Sequence, residues 1–487
     1  MNPPSTTTPG PDGLRPDAPQ PLSSTDPVLR HLSDRAGGPA GSRLRRRRRR
    51  FWSVPTVLTA LTMVAVLISA VSVQYCRING WSGVSMYHWG CYSDVAALWS
   101  SRDFDVSSWA PFDEALAAFE YPALTMVLAS LTAVVTHGLD AVLGRTALAY
   151  WEDEGGLLYW DVTFLFAAGA WLVLVLATMK AAGHRPWDAA VVALSPAIIL
   201  GIGINWDIFA AAALALAVLC YLRGQWWLAG VLIGVGLSFK LYPLFMLGAV
   251  FTLAARSWIK QDESGIGWPD FARVAGGTAA AWLVINVPVM LVSFESWVRF
   301  FVYSSERGAG YSSVWHVWDE LAETSPSAET VSLWSFLLFA AACAAVLVIG
   351  VTAPQPPRMV QLLLLIVAAF LLVNKVYSPQ FMIWLVPLMV LAAPRLRDIL
   401  IWHGFQILHF WAVWMYLAQV VGDYEQQHSF DPALYVAAVI GHLAATGYIA
   451  AQVIADIYRP ERDVVRAPDP APSVPAALPR RTLPQQP

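Results

Sequence analysis

Thirteen apolar stretches run through this chain, near residues 53–74, 121–139, 160–180, 187–203, 207–222, 226–239, 241–255, 272–292, 332–351, 359–374, 380–394, 398–420 and 432–456. A membrane-spanning helix needs roughly 20 apolar residues, and most of these stretches reach or approach that length. Only 13% of the 487 residues are charged against 57% hydrophobic, and mean hydropathy is +0.51. Average soluble domains carry about 25% charged residues. These figures exclude a soluble globular enzyme, a disordered chain and a disulfide-stapled secreted module. They predict an all-α polytopic membrane protein. The 23 Trp residues fit aromatic belts at membrane–water interfaces.

Charge placement orients the spans. Residues 1–50 hold ten Arg against four Asp, and Arg45–Arg50 abut the first apolar stretch. That run reads as a cytoplasmic anchor rather than a nucleic-acid patch. Lys180/Arg185, Arg223, Arg256/Lys260, Arg358, Arg395/Arg397 and Arg459/Arg462 alternate correctly if each is cytoplasmic. Thirteen crossings cannot satisfy both ends, whereas twelve can. The 121–139 segment, interrupted by Thr125, Ser130, Thr132, Thr136 and His137, is therefore expected to lie on the outer leaflet without crossing. This yields a disordered cytoplasmic tail over 1–50, a transmembrane domain over 51–457 and a second disordered cytoplasmic tail over 458–487. A long first outer loop covers about 75–160 and a second about 293–331. The short stretches 226–239 and 241–255 are expected to be broken or tilted helices lining a cavity.

Cys76 and Cys91 share the first outer loop, on the oxidising side, where a disulfide persists. Cys220 and Cys343 lie inside spans as packing residues. With this topology the unusual polar motifs collect at the outer face. They are Cys91–Asp94, Phe119–Pro122, Asn205–Asp207, Lys240–Pro243, Ser304–Gly308 and Asn374–Gln380. Charge at membrane depth is costly and is a functional hypothesis by default. Lys240, Arg307 and Lys375 have the chemistry to hold a phosphate. Asp94, Glu120 and Asp207 can accept protons or bind hydroxyls. Tyr87, Trp89, Tyr92, Trp99, Tyr311 and Trp315 suit stacking on sugar rings. Tyr121, Tyr242, Glu306, Tyr377 and Gln380 complete the substrate-binding set. His316 is a candidate substrate contact or second proton-transfer group.

Several of these residues have plainer readings. Asp94 and Asp207 are both placed to cap helices, and Lys240 and Lys375 to snorkel to the interface. His403, Gln406 and His409 recur at i, i+3, i+6 and read as interhelical hydrogen bonds. Asp113 and Glu114 read as a solvated face.

Taken together, the six motifs resemble glycosyltransferase family 87 over about residues 52–465. That family holds actinobacterial polyprenyl-phosphate-mannose-dependent α-mannosyltransferases of the GT-C fold. The resemblance implies an acidic general base in the first outer loop, which falls on Asp94, followed by juxtamembrane helices. It implies a polyprenyl-phosphate sugar donor, with mannose the favoured sugar, and a glycolipid or cell-envelope glycan acceptor. It also implies a multi-pass plasma-membrane protein with an extracytoplasmic active site, membrane lipids around it and no nucleic acid. No cofactor is firmly implied; Asp103-Phe104-Asp105 is set apart from Asp94, so a divalent metal is not required by the motif. The rival class is a transporter or flippase of lipid-linked sugars. It should show inverted repeats and polar groups near the midplane and on both faces, and no internal repeat is found. A catalytically inactive membrane scaffold is a third reading.

Overall fold

A computed structural model describes residues 52–81, 83–116, 118–147, 155–263, 265–322, 324–422 and 431–466. The Arg45–Arg50 run, the rest of the expected N-terminal tail and residues 467–487 lie outside the described residues. Among the described residues there are nineteen α-helices and no strand. They are α1 (Val54–Ser72), α2 (Gln74–Ile78), α3 (Ser85–His88), α4 (Asp94–Ser101), α5 (Ala123–Ala147), α6 (Gly155–Ala181), α7 (Ala189–Ala193), α8 (Pro196–Gly201), α9 (Asp207–Leu222) and α10 (Trp226–Phe239). The order continues with α11 (Phe245–Lys260), α12 (Trp268–Val292), α13 (Phe294–Glu306), α14 (Val314–Ala322), α15 (Ala328–Thr352), α16 (Met359–Val373), α17 (Met382–Ala392), α18 (Leu396–Val421) and α19 (Pro432–Tyr458).

All thirteen apolar stretches fall on helix. Eight helical segments among the described residues are long and apolar enough to cross a membrane, and five more are apolar but shorter. The chain is thus an all-α, multi-pass membrane protein. Three breaks have local causes. Pro196, Pro243 and Pro379 cannot donate to a preceding helical turn. Ser195 caps α8 through Ile198 N–H, while Tyr242–Leu244 and Pro379–Phe381 form short 3-10 turns. The 241–255 stretch is consequently longer than expected, because turn and helix together run as one span from Tyr242 to Lys260.

Two of the short apolar helices, α16 and α17, sit deep in the bundle. All 11 residues of α17 are buried, as is most of α16, so longer helices surround them. A 14-residue helix such as α10 rises only about 21 Å, less than the roughly 30 Å apolar core. It compensates by close packing. A Cβ on Gly230 would lie 2.0 Å from the Val274 carbonyl of α12, and one on Gly277 2.4 Å from the Trp227 carbonyl. Small residues allow this approach between membrane helices.

The bundle has two distinct ends. One gathers the basic residues used above for orientation. Arg358 pairs with Asp463 at 2.9 Å, Arg395 with Asp456 at 2.6 Å and Arg185 with Asp188 at 2.6 Å, while Arg256 caps the Gly350 and Val351 carbonyls. Asp463 is buried, so ordered chain continues to Arg466, past the boundary expected at 458. The other end carries the first and second expected loops, folded as α2–α5 and α13–α14. Helix α5 is long and apolar enough to cross a membrane, and it contacts elements of this second end. Thr125 donates to the Phe239 carbonyl, the Ala129 carbonyl accepts from Tyr159, and His137 lies 2.8 Å from the Phe104 carbonyl.

Candidate functional site

Asp94 opens α4 at the second end, and the chain before it is firmly held. Cys76 and Cys91 are disulfide-bonded, as expected, and Trp81 Nε1–H donates to the Cys91 carbonyl at 2.7 Å. Gly90 has φ +60, and a Cβ there would lie 2.6 Å from Trp411, so the turn needs glycine twice over. Ser93 Oγ–H donates to the Gly203 carbonyl at 2.7 Å, and Asp94 N–H to that of Ile204 at 3.0 Å. These bonds dock residues 93–94 onto the turn before α9.

Both Asp94 oxygens are held by neutral donors. Tyr92 O–H donates to Oδ1 at 2.7 Å and Asn205 Nδ2–H to Oδ2 at 2.8 Å. Asn205 is itself oriented, because its Oδ1 accepts from Trp206 N–H at 2.6 Å, and its Nδ2 also reaches the Tyr121 hydroxyl at 3.0 Å. The capping reading of Asp94 does not hold, since Ser93 is the N-cap and the carboxylate faces tertiary partners. Its surroundings push the Asp94 carboxyl above the usual carboxylate range, first through desolvation. The Tyr92 and Asn205 bonds and nearby Lys240 pull it back, while Asp207 pushes it up.

A second carboxylate lies behind the first. Asp207 is fully buried; Trp384 Nε1–H donates to its Oδ1 at 2.8 Å, and Lys240 Nζ stands 3.4 Å from its Oδ2. Asp207 does not cap α9 either, because Trp206 is the N-cap. Lys240 does not snorkel; its ammonium also lies 5.5 Å from the Tyr121 ring centre and 5.7 Å from that of Phe381. Glu120 is committed to Arg102, in a two-pronged pair at 2.8 Å for each bond. Tyr242 stacks on Trp384 at 4.2 Å, and the Tyr377 hydroxyl meets Thr446 at 3.3 Å. Both rings are fully buried, so they brace the bundle rather than face a ligand. Gln380 is likewise buried.

The remaining cations sit on two loops that touch. Gly310 N–H donates to the Lys375 carbonyl at 2.7 Å, and Lys375 Nζ–H donates to Ser332 Oγ at 2.7 Å and to the Ser305 carbonyl at 3.2 Å. Burial, then the neighbouring Arg307, lowers the Lys375 ammonium. Arg307 and Glu306 are exposed, with the guanidinium 5.9 Å from the Tyr303 ring centre. Arg307 is also within electrostatic reach of Tyr92, hence of the Asp94 cluster. His316 lies on α14 beside Asp319 and Glu320, and burial lowers its imidazole.

The structure thus joins Asp94, Tyr121, Asp207 and Lys240 in one cluster. Arg307 lies within electrostatic reach of it through Tyr92 and next to Lys375, His316 stands apart on α14, and Tyr242, Tyr377 and Gln380 lie inside the bundle. Sequence reasoning missed Tyr92 as a carboxylate partner and Asn205 as its orienter, although both stand within the motifs. Nothing marked Arg102 as the partner of Glu120. His403 meets Ser195 Oγ at 2.9 Å, Gln406 donates to the His442 carbonyl at 3.3 Å, and His409 stacks on His442 at 3.8 Å. The interhelical hydrogen-bond reading holds for His403 and Gln406, whereas His409 packs by its ring and its Nε2 is buried without a hydrogen-bond partner among the described residues. Glu114 accepts from Ser293 Oγ at 3.0 Å on an otherwise exposed turn.

The chain resembles known sugar-transferring proteins. Residues 146–374 match the model of glycosyltransferase family 87. A GPI mannosyltransferase 1 from Eremothecium gossypii is 27% identical over 259 residues, which are 50% of this chain and 61% of that relative. A solved structure of ArnT from Cupriavidus metallidurans bound to undecaprenyl phosphate is similar with a TM-score of 0.40 at 15% identity, over 82% of this chain and 77% of that one.

Proposed function

We propose that this membrane protein, with family 87 similarity along residues 146–374, is a glycosyltransferase. It takes a sugar, most simply mannose, from a polyprenyl-phosphate donor and passes it to a glycolipid or cell-envelope glycan. The Asp94 end is the extracytoplasmic one, with twelve crossings, α5 lying along that face and both termini in the cytoplasm. The observation that carries this reading is the separation of charge. Asp94 is held by two neutral donors, whereas Lys375 and exposed Arg307 are not spent on carboxylates among the described residues.

Asp94 takes the acceptor's hydroxyl proton as that oxygen attacks the anomeric carbon. The new C–O bond forms as the bond from that carbon to the phosphate oxygen breaks, inverting the centre. Polyprenyl phosphate leaves with its negative charge against Arg307 and Lys375. Lys240 neutralises Asp207 and keeps the floor of the site rigid. The lipid tail occupies a cavity of about 500 Å³ between α11, α15 and α16, lined by Phe245, Phe251, Phe339, Leu347 and Ile366. Ser332, which holds Lys375, and Phe339 are two turns apart on α15, so cation and cavity adjoin at about 10 Å.

Asp94→Asn tests this directly. The substituted amide can accept from Asn205 and donate to the Tyr92 oxygen, so the cluster survives without a base. Purified variant should bind polyprenyl-phosphate mannose as wild type does and transfer at least about a hundredfold more slowly. Wild-type turnover would end the assignment.

A further inference from the structure

Beyond the Asp94 cluster, one group of polar atoms at the same end is used by nothing above. It lies on α14, where His316, Asp319 and Glu320 recur at i, i+3, i+4 and so share a helix face. His316 Nδ1 is 3.9 Å from Asp319 Oδ2, and its Nε2 is 3.5 Å from Glu320 Oε1. Neither distance is a hydrogen bond. His316 Nε2 and Asp319 Oδ1 are buried without a hydrogen-bond partner among the described residues. The same is true of the Tyr435 hydroxyl, on a side chain with no exposed surface. Tyr435 stacks on Tyr416 at 4.0 Å, its hydroxyl is within electrostatic reach of Glu320 and Tyr311, and Tyr416 O–H donates to Glu320 Oε1 at 2.6 Å. Tyr311, 43% exposed, covers the imidazole edge-on at 5.1 Å.

Buried polar atoms left open are expensive in a folded protein and call for a partner. Here three of them, one on the Asp319 carboxylate itself, lie beside Glu320 under an exposed tyrosine. Adjacent hydroxyls are a good complement to a carboxylate acceptor, and the C–H face of a sugar ring to an aromatic face. The group is also joined to Asp94. Tyr92, bonded to Asp94, stacks on Tyr87 at 5.5 Å, and Tyr87 feels both Asp94 and Tyr311. Aromatic side chains therefore run from the proposed base to α14.

We propose that Tyr311, His316, Asp319 and Glu320 form a second sugar subsite, so that the acceptor is an oligosaccharide whose next unit back from the attacked one rests on α14. This deepens the proposed glycosyltransferase function and rests on it. Such a site would make the enzyme one that extends existing chains of sugars, supplied by an earlier glycosyl transfer onto the same acceptor.

The test is equilibrium binding rather than turnover. The probes are the α-methyl glycosides of mannose, mannobiose and arabinobiose, titrated onto purified wild-type protein in nanodiscs. One disaccharide should bind at least about tenfold tighter than the monosaccharide, the scale of one hydrogen bond to a charged group. Glu320→Gln, which keeps an oxygen for Tyr416, and Asp319→Asn should each erase most of that difference and leave monosaccharide binding unchanged. A disaccharide advantage absent from wild type, or intact in both variants, would overturn the subsite. The functional reading has its own readout in the same samples, transfer from polyprenyl-phosphate mannose. Disaccharide preference with no transfer would support the subsite and sink the mannosyl-transfer reading instead.

Discussion

Both ends of the bundle bury carboxylates, but they treat them differently. At the basic end each of four buried carboxylates is paired with an arginine. Asp188 meets Arg185, Asp398 meets Arg397, Asp456 meets Arg395, and Asp463 meets Arg358 with a further bond from Gln361 at 3.1 Å. At the other end Glu120 and Asp161 are likewise paired with Arg102 and Arg77, but Asp94 is held by Tyr92 and Asn205, and Asp207 by Trp384 with a looser lysine at 3.4 Å. An arginine pair does a structural job, because removing one partner leaves a buried charge less compensated. A carboxylate held by neutral donors is fixed in place yet still able to take a proton. The comparison separates charge used for holding the fold from charge kept for chemistry.

The sharpest way to break it is to exchange phenotypes between the ends. Asp94→Asn should lower transfer by about 10²–10⁴-fold with little change in thermal midpoint. Arg358→Ala should do the reverse per surviving molecule. It removes the closest charged partner of Asp463, 1% exposed, leaving Arg466 at 3.4 Å and the Gln361 bond, and should cost about 3 kcal/mol of stability while correctly folded protein keeps its turnover. Turnover and thermal melting of both variants in nanodiscs would decide this. Loss of activity in both with loss of stability in both would erase the distinction.

Lys240 stands between the two classes. Read from sequence, it is a phosphate ligand whose removal leaves the fold intact. Its pairing with fully buried Asp207 changes that expectation. Lys240→Ala should destabilise about as much as a broken pair at the basic end, about 3–5 kcal/mol, and Asp207→Asn added to it should restore much of the loss. If Lys240→Ala instead melts like wild type and only donor binding weakens, the lysine is free to serve phosphate after all. Lys375→Ala should have the smaller effect on the fold, since its bonds go to a serine hydroxyl and a carbonyl. Its donor affinity should fall about tenfold, measured by titration with polyprenyl-phosphate mannose.

These contrasts also mark what the sequence could convey. Hydrophobic runs located every long helix, because burial in lipid imposes composition directly on the chain. The polar motifs and the Cys76–Cys91 link were legible because charge and cysteine are rare at membrane depth. Pairings were not. Whether Lys240 faces Asp207 or a ligand depends on how α10, the turn after it and α9 meet, and Gly236 lies at that meeting: a Cβ there would stand 2.9 Å from Pro243 of the turn and 3.4 Å from Ala213 of α9. Glu120 found Arg102 across a turn containing Asp103 at φ 56, a conformation with no strong local signal. Tyr242 and Tyr377 looked like ligands because they neighbour lysines in the chain. Their rings turn inward because Trp384 and Thr446 offer partners there.

The finest test concerns pH at the Asp94 end. Asp94 titrates above an ordinary carboxylate, so its protonated form is the one the folded state favours. Its contribution to stability is therefore present at low pH and is lost as pH rises through the folded value. Activity runs the other way, because a base must be ionised. Acidification should switch off transfer above the ordinary carboxylate range, reversibly, and this group should not help to unfold the protein. Asn205→Ala removes a donor that favours the charged form, so the acid limb of kcat/KM should move to still higher pH. Tyr92→Phe should move it in the same direction. The measurement is kcat/KM against pH for the three proteins, with thermal midpoints at each pH. An acid limb that stays put in both variants, or that coincides with unfolding in wild type, would mean that Asp94 is not the group being titrated.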